Sequence, residues 1–254
     1  MKQKKSAKTS KGSQPQVEVP TISSPPPEPI KIKGKGAGPN TVELVGIYGG
    51  DQSHAMSAWT STSRDLTDEK RARLPKLLKD LASAGHETPF EKSSLHFLVT
   101  TDIATHIHLI KHRIGVSVNA ESARYKELKD DKYYVPFDWD DEERARYIDH
   151  MEQAMERYHE TLERLVTKGV PRKRAKETAR FYLPYGNQIT ADVMFNFRSF
   201  VHFLRLRYSK HAQVEVRHIA EAMLKLAQMT GQFQASLEAF ELVMPDGNLR
   251  ALYV

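Results

Sequence analysis

The sequence predicts an α+β fold, a mainly antiparallel sheet flanked by helices in a single domain. Three observations carry this reading: short runs with a period of two stand among longer runs of helical period, the two kinds are interspersed without regular βαβ spacing, and no segment repeats. With 254 residues, 39% of them hydrophobic, the chain is long enough to bury a proper core.

Residues 1–40 stand apart. They hold eight lysines against Glu18 and Glu28, together with seven prolines and few large apolar side chains. Such a segment buries too little surface to offset the entropy of ordering it, so a disordered tail is expected. Residues 41–254 carry 30 basic and 30 acidic side chains, which assigns the formal charge of +6 to the tail and leaves the folded part neutral.

The domain is expected to begin near Thr41, where TVELVGIYG reads as a strand closed by Gly49 and Gly50. A helix follows from Thr67 to about Ala84, with Asp68 and Glu69 in its first turn and Gly85 past its end; Pro75 predicts a kink or two consecutive helices. Leu95, Phe97 and Val99 alternate with Ser94, His96 and Leu98, giving a strand over 93–101. From Asp102 the period changes: Ile103, Ile107, Ile110 and Ile114 fall at helical spacing, and the helix ends at Lys111, His112 and Arg113. The clearest helix runs from Asp140 to Lys168, with an acidic first turn, Gly169 as its stop, and a stripe of Ile148, Met151, Met155, Tyr158, Leu162 and Leu165 that suits a core or a helix interface. Another helix starts at Pro171, a strand-like run spans 189–195, and two helices cover 196–209 and 212–230.

The chain has no cysteine, which excludes disulfides, thiolate metal sites and a cysteine nucleophile. No apolar stretch follows MKQKKSAKTS as in a signal peptide, and none approaches the length of a membrane span, so a cytoplasmic location and no membrane partner are expected. His108 and His112 lie four apart, but no third ligand and no HExxH arrangement accompany them, and no metal is expected.

The segment 111–125 gathers three cations at a helix end, then a loop offering Ser117, Asn119 and Ser122, then Arg124; such a set suits phosphate or an anionic heterocycle, and a solvated basic turn is the plain alternative. On the helix over 196–209, Phe197, Phe200, Val201 and Leu204 form an apolar face, Arg198, His202 and Arg205 recur on another, and Asn196 and Arg207 line up at the edge of the apolar face. Two polar edges around one apolar stripe suit a helix between two ligands or between subunits.

These segments carry a resemblance. Lys111-His112-Arg113, then Ser122 and Arg124, resemble the signature of flavin-dependent thymidylate synthases, Arg-His-Arg, seven residues, Ser, with Arg two further on. Lysine stands for the first arginine, and the spacer, 114–121, has eight residues. GHETPFE (85–91), Ser61 in AWTS, ARFYLP (179–184), NFRS (196–199), Leu206-Arg207 and HAQ (211–213) are similar to further elements of that family, in its order.

The resemblance implies an enzyme that methylates dUMP with 5,10-methylenetetrahydrofolate as carbon donor and FAD, reduced by NADPH, as reductant. It implies Arg207 as the catalytic residue, ionising the uracil. His108, Lys111, Ala120, Glu121, Ser122, Arg124, Arg180 and Arg207 are implied for dUMP. Ser61, His86, Thr88, Glu91, Lys111, His112, Arg113, Asn196, Arg198 and His202 are implied for FAD. His108 and Ala120 stand where the family has glutamine and glutamate, with Glu121 beside the second. A homotetramer with shared active sites is also implied, the 140–168 stripe being one possible interface. Two rival readings are a divergent homologue that binds flavin or nucleotide with little turnover, and a nucleic-acid-binding module built on the tail and the arginine helix; the neutral folded part gives no reason to expect nucleic acid on the core.

Overall fold

The computed structural model describes residues 21–23, 36–63, 65–122, 124, 126–127 and 130–253. The expected tail falls, apart from residues 21–23 and 36–40, outside them, as does Tyr125. Five strands form one antiparallel sheet in the order β1 (Thr21–Ser23), β2 (Thr41–Tyr48), β3 (Ser94–Asp102), β5 (Gln188–Asn196), β4 (Val116–Ala120). β3 and β5 pair along their whole lengths, from Ser94↔Asn196 to Asp102↔Gln188. Because side chains alternate along a strand, Leu95, Phe97 and Val99 of β3 and Ala191, Val193 and Phe195 of β5 share one buried face. On the opposite face His96 pairs with Asp192, Thr100 bonds Thr190 across the strands at 2.9 Å, and Met194 is partly exposed. A register shift between Leu44 and Gly46 marks a bulge in β2 that leaves Val45 exposed.

The buried face is covered by α6 (Phe197–Arg207) and α7 (Val214–Met229). α6 buries Phe197, Phe200, Val201, Phe203 and Leu204 and turns its arginines outward; α7 is buried on most of its circumference.

The segment 117–119, expected as a loop, is instead part of β4, where Ser117 pairs with Met194 and Asn119 with Asp192. Its sequence has too few large side chains to announce a strand, and the exposed edge of β5 supplies the missing ladder partners. The helix expected to reach Arg113 stops sooner: α3 (Ile103–Ile110) ends at Lys111, and Ile114, placed in its apolar stripe by spacing alone, is 92% exposed. Pro75 does not divide α2 (Asp68–Ser83), which is one helix; the proline lies on its exposed side, where water can take the Arg71 carbonyl that loses its donor.

α4 (Asp141–Thr167) is capped by Asp140, whose Oδ1 accepts from the Glu143 N–H at 2.9 Å, and is followed by Gly169 at φ +84°. Its stripe is spent within the chain: Ile148, Met151 and Met155 pack with Tyr133 and Val135, and Tyr158 and Leu162 with Ala179 of α5 (Arg172–Ala179). That makes five of the six stripe residues, all but half-buried Leu165, core of this chain and not the expected subunit interface, since buried side chains have little area left to give a partner.

Two helices have no clear periodicity in the sequence, α1 (Asp51–Trp59) and α8 (Gln234–Ala239). A buried polar chain joins them. His54 bonds Ser93 Oγ at 2.7 Å through Nε2 and Ser236 Oγ at 2.8 Å through Nδ1, and the Asp51 carboxylate accepts from the Ala235 and Ser236 N–H groups, both at 2.8 Å.

The packed chain starts before Thr41. Ala37 bridges Tyr133, and buried Asn40 donates its amide to Asp102 Oδ2 at 3.1 Å. Asp102 is also the cap of α3, its Oδ1 accepting from the Thr105 N–H at 2.8 Å, so one side chain ends β3, starts α3 and ties down the entry to β2. Replacing Asp102 by Ala removes a cap and the bond that the buried Asn40 amide makes to it; a loss of about 2–3 kcal/mol is expected, read as a lower urea midpoint at unchanged slope.

Candidate active site

The Lys111-His112-Arg113 triplet is held against α6 by the turn that follows it. Gly115 takes φ +66°, and a Cβ there would stand 2.3 Å from Ser199 Oγ and 2.4 Å from Asn196 Nδ2, so only glycine allows this approach. The Asn196 N–H donates to the Gly115 carbonyl at 3.0 Å and Ser199 Oγ to the Ile114 carbonyl at 2.7 Å. Asn196 caps α6 as well, its Oδ1 accepting from the Ser199 N–H at 2.8 Å. Lys111 and Arg113 are left exposed while His112 turns inward.

His112 is 8% exposed, edge-on to Phe203 with ring centroids 4.9 Å apart, and 6.1 Å from the His202 ring. Arg207 donates its Nε–H to His112 Nε2 at 3.0 Å. Burial, then the Arg207 charge and His202, push the His112 imidazole down to about 4, so it is neutral around pH 7. Burial also lowers the Arg207 guanidinium from its ordinary value without discharging it.

Arg198, the second residue of α6, is committed to carboxylates: its Nε meets Glu87 at 2.9 Å and its Nη1 meets Glu91 at 2.7 Å, while Arg205 reaches Glu87 at 3.7 Å. The 3-10 turn Thr88–Glu91 is thereby latched onto α6 beside exposed His86 and Thr88. Ser61 lies in the turn after α1, its hydroxyl donating to the Ala58 carbonyl at 3.0 Å.

A second group forms beyond β4. Ala120 faces Ala191, and Glu121 accepts from Lys126 at 2.6 Å and from the Thr190 N–H at 3.1 Å. Burial opposes ionisation of Glu121, but these two donors outweigh it and lower its pKa. Ser122 Oγ accepts from the Arg124 N–H at 3.3 Å, and Arg124 Nε donates to Glu177 of α5 at 2.5 Å. Arg180 follows α5 in an exposed turn with Phe181, which is 84% exposed. The structure therefore brings Ser122, Arg124 and Arg180 to one edge at α5, and Lys111, His112, Asn196, Arg198, His202 and Arg207 to α6, with β4 between the two groups. His108 is half-buried on the last turn of α3. Neither the cleft of about 820 Å³ between α2 and α8 nor the one of about 610 Å³ beside α4 is lined by any of these residues.

Comparison with known proteins gives this arrangement a family. The profile described as Thymidylate synthase complementing protein (Thy1) matches residues 43–230. The chain is 32% identical over 212 residues to the flavin-dependent thymidylate synthase of Kosmotoga olearia, covering 78% of this chain and 87% of that protein. The chain belongs to the flavin-dependent thymidylate synthase family. The enzyme of that name from Thermotoga neapolitana is 33% identical over 188 residues, covering 73% of this chain and 84% of the relative. Among solved structures, the UMP/dUMP methylase PolB from Streptomyces cacaoi bound with 5-Br UMP superposes with a TM-score of 0.67 at 27% identity, over 82% of this chain and 96% of that one.

A flavin nucleotide, which the family name implies, suits the residues around α6. Lys111 and Arg113 are exposed cations for phosphates, Asn196 and His202 are short-range hydrogen-bonders, and Gly115 brings them onto one surface. Arg198 is different, its charge being already matched by Glu87 and Glu91. Sequence reading passed over Glu87 as a site residue; its spacing of four from Glu91 was the available signal. It likewise passed over Glu177, which holds Arg124 from 53 positions away, a separation that leaves no local trace.

Two histidines make the fold sensitive to acid. His54 is fully buried and its pKa is lowered to about 4 by burial, as is that of His112. Both bind protons more weakly folded than unfolded, so stability is full above the ordinary histidine value and declines as pH falls from there towards 4. Urea titrations are expected to show on the order of 1–2 kcal/mol lost per histidine between about pH 7 and pH 5. A flat profile, or one unchanged in His54→Gln, would show that these rings are already protonated or exposed.

Proposed function

We propose that this protein converts dUMP to dTMP, with 5,10-methylenetetrahydrofolate as carbon donor and NADPH-reduced FAD as reductant. What supports it most is the contact between triplet and helix: Arg207 bonded to His112 at 3.0 Å, in a chain matched to the family over 43–230. A methylene carbon becomes a methyl group only with a hydride equivalent, which bound FAD, once reduced by NADPH, would supply. With no cysteine in the chain, activation of the uracil ring falls to charge. Arg207, half-buried and permanently charged, would lie against the uracil, stabilise negative charge at N3 and so enrich C5 as the attacking carbon.

Arg180 and Arg124 would hold the dUMP phosphate, to which guanidinium offers paired donors; Arg124 is presented by Glu177, and Ser122 would orient the nucleotide with Glu121 and Ala120 beside it. Lys111, His112 and Arg113, with Ser61, His86, Thr88, Glu91, Asn196, Arg198 and His202, would bound the flavin site, and His108 and Lys111 would border the nucleotide. The family resemblance implies a homotetramer, in which one subunit's α6 would meet another's Arg124 edge. The partly exposed outer sheet face would then be one surface for assembly. Among the described residues no helix is long and apolar enough to cross a membrane.

A second reading, methylation of UMP, is favoured by the likeness to PolB, described as a UMP/dUMP methylase. Purified protein given folate, NADPH and either nucleotide separates the two by whether dTMP or the ribonucleotide product accumulates. Arg207→Ala is expected to cut turnover at least about a hundredfold while the yellow flavin absorbance stays, the scale for removing one electrostatic stabiliser of a transition state. Unchanged turnover would remove Arg207 from the chemistry, and a colourless protein that takes up no FAD would overturn the proposed function.

A further inference from the structure

Arg207 leaves α6 at its last residue, where the helix no longer constrains a long side chain with four rotatable bonds. Only a specific contact can hold its guanidinium in one plane there. The structure provides one: the Nε–H donates to His112 Nε2 at 3.0 Å, and the imidazole is itself fixed edge-on to buried Phe203. An acceptor at Nε2 requires the tautomer with its proton on Nδ1. Because this bond uses Nε, it leaves the fork of Nη1 and Nη2 for another acceptor.

Resting on the dUMP-methylating reading of the site, we propose that His112 is a positioning residue for Arg207: as a neutral hydrogen-bond acceptor it fixes the guanidinium plane so that the terminal amino groups meet the uracil. This differs from a flavin contact through the same nitrogen, since Nε2 has one lone pair and Arg207 occupies it. The neutrality of the ring is supplied by its surroundings, with Phe203 excluding water and His202 and Arg207 opposing a second positive charge. Lys111 and Arg113, on either side in sequence, point to the exposed side and cannot replace it.

The test uses the full chain in its flavin-bound form. His112→Phe keeps the ring packing against Phe203 and removes the acceptor; His112→Gln restores an acceptor through Oε1. Loss of turnover by about ten- to a hundredfold is expected for His112→Phe, the range for a hydrogen bond to a charged group, with partial rescue in His112→Gln and flavin absorbance retained in both. Calorimetric dUMP binding to the single variants and to His112→Phe/Arg207→Ala is expected to be non-additive, the second change costing less than about twofold once Arg207 is gone. Additive losses, or flavin released from His112→Phe with normal dUMP affinity, would overturn the proposal in favour of a flavin contact. Histidine-selective nitrogen NMR of the wild type is independent of substrate: an unprotonated Nε2 that changes in Arg207→Ala is expected, and a protonated Nε2 would overturn it. Wild-type protein that binds no dUMP would fail the proposed function instead, and the NMR result would still decide whether His112 holds the guanidinium.

Discussion

The packing of α6 on the β3–β5 pair is the constraint on which the remaining structure depends. Phe195 sits 5.2 Å from Phe203 and 5.9 Å from Phe200, Phe97 stacks on Phe200 at 5.9 Å, and Phe197 stacks on Phe233 at 5.3 Å. Each ring buries a large area, and ring pairs at these distances add about 0.5–1.5 kcal/mol beyond that burial. Together they set the rotation of the helix about its axis. Once the phenylalanines point at the sheet, Arg198, His202 and Arg205 must point away from it, and Arg207 emerges at the edge.

The same packing explains how the triplet is placed. α3 is started by Asp102 at the end of β3, runs for eight residues, and leaves the chain at the flank of α6, where Gly115 allows the closest approach. The inward turn of His112 then follows from its neighbours: Phe203 offers an apolar wall and Arg207 a donor, so the neutral ring can be buried with its acceptor satisfied. Lys111 is exposed at the end of α3 and makes none of these contacts.

The spacer 114–121 is mostly strand. β4 pairs one-to-one with β5 from Val116↔Phe195 to Ala120↔Ala191, without a bulge. Glu121 returns to the ladder through both its N–H and its carboxylate on Thr190. The ion pairs Arg124–Glu177 and Arg172–Glu127 then fasten the following loop to α5. Surface pairs of this kind contribute little stability each, and their consequence here is orientation: they decide where Arg124 stands relative to Arg180.

Sequence by itself determined the α+β class, the two central strands, and the long helices, because alternation and helical period are local properties that survive without any knowledge of neighbours. It determined the long α4 almost to its ends, since Asp140 and Gly169 act on the backbone next to them. Order of motifs was enough to place the family, which the matches then showed. Tertiary structure alone decided the rest. β4 exists because β5 offers it a ladder, α1 and α8 because His54, Ser236 and Asp51 meet across more than 180 residues, and the α4 stripe is core because Tyr133 and Ala179 reach it first. The bond from Arg207 to His112 belongs to this second class. It joins residues 95 positions apart, and only packing, which carries no periodic signal, brings them together.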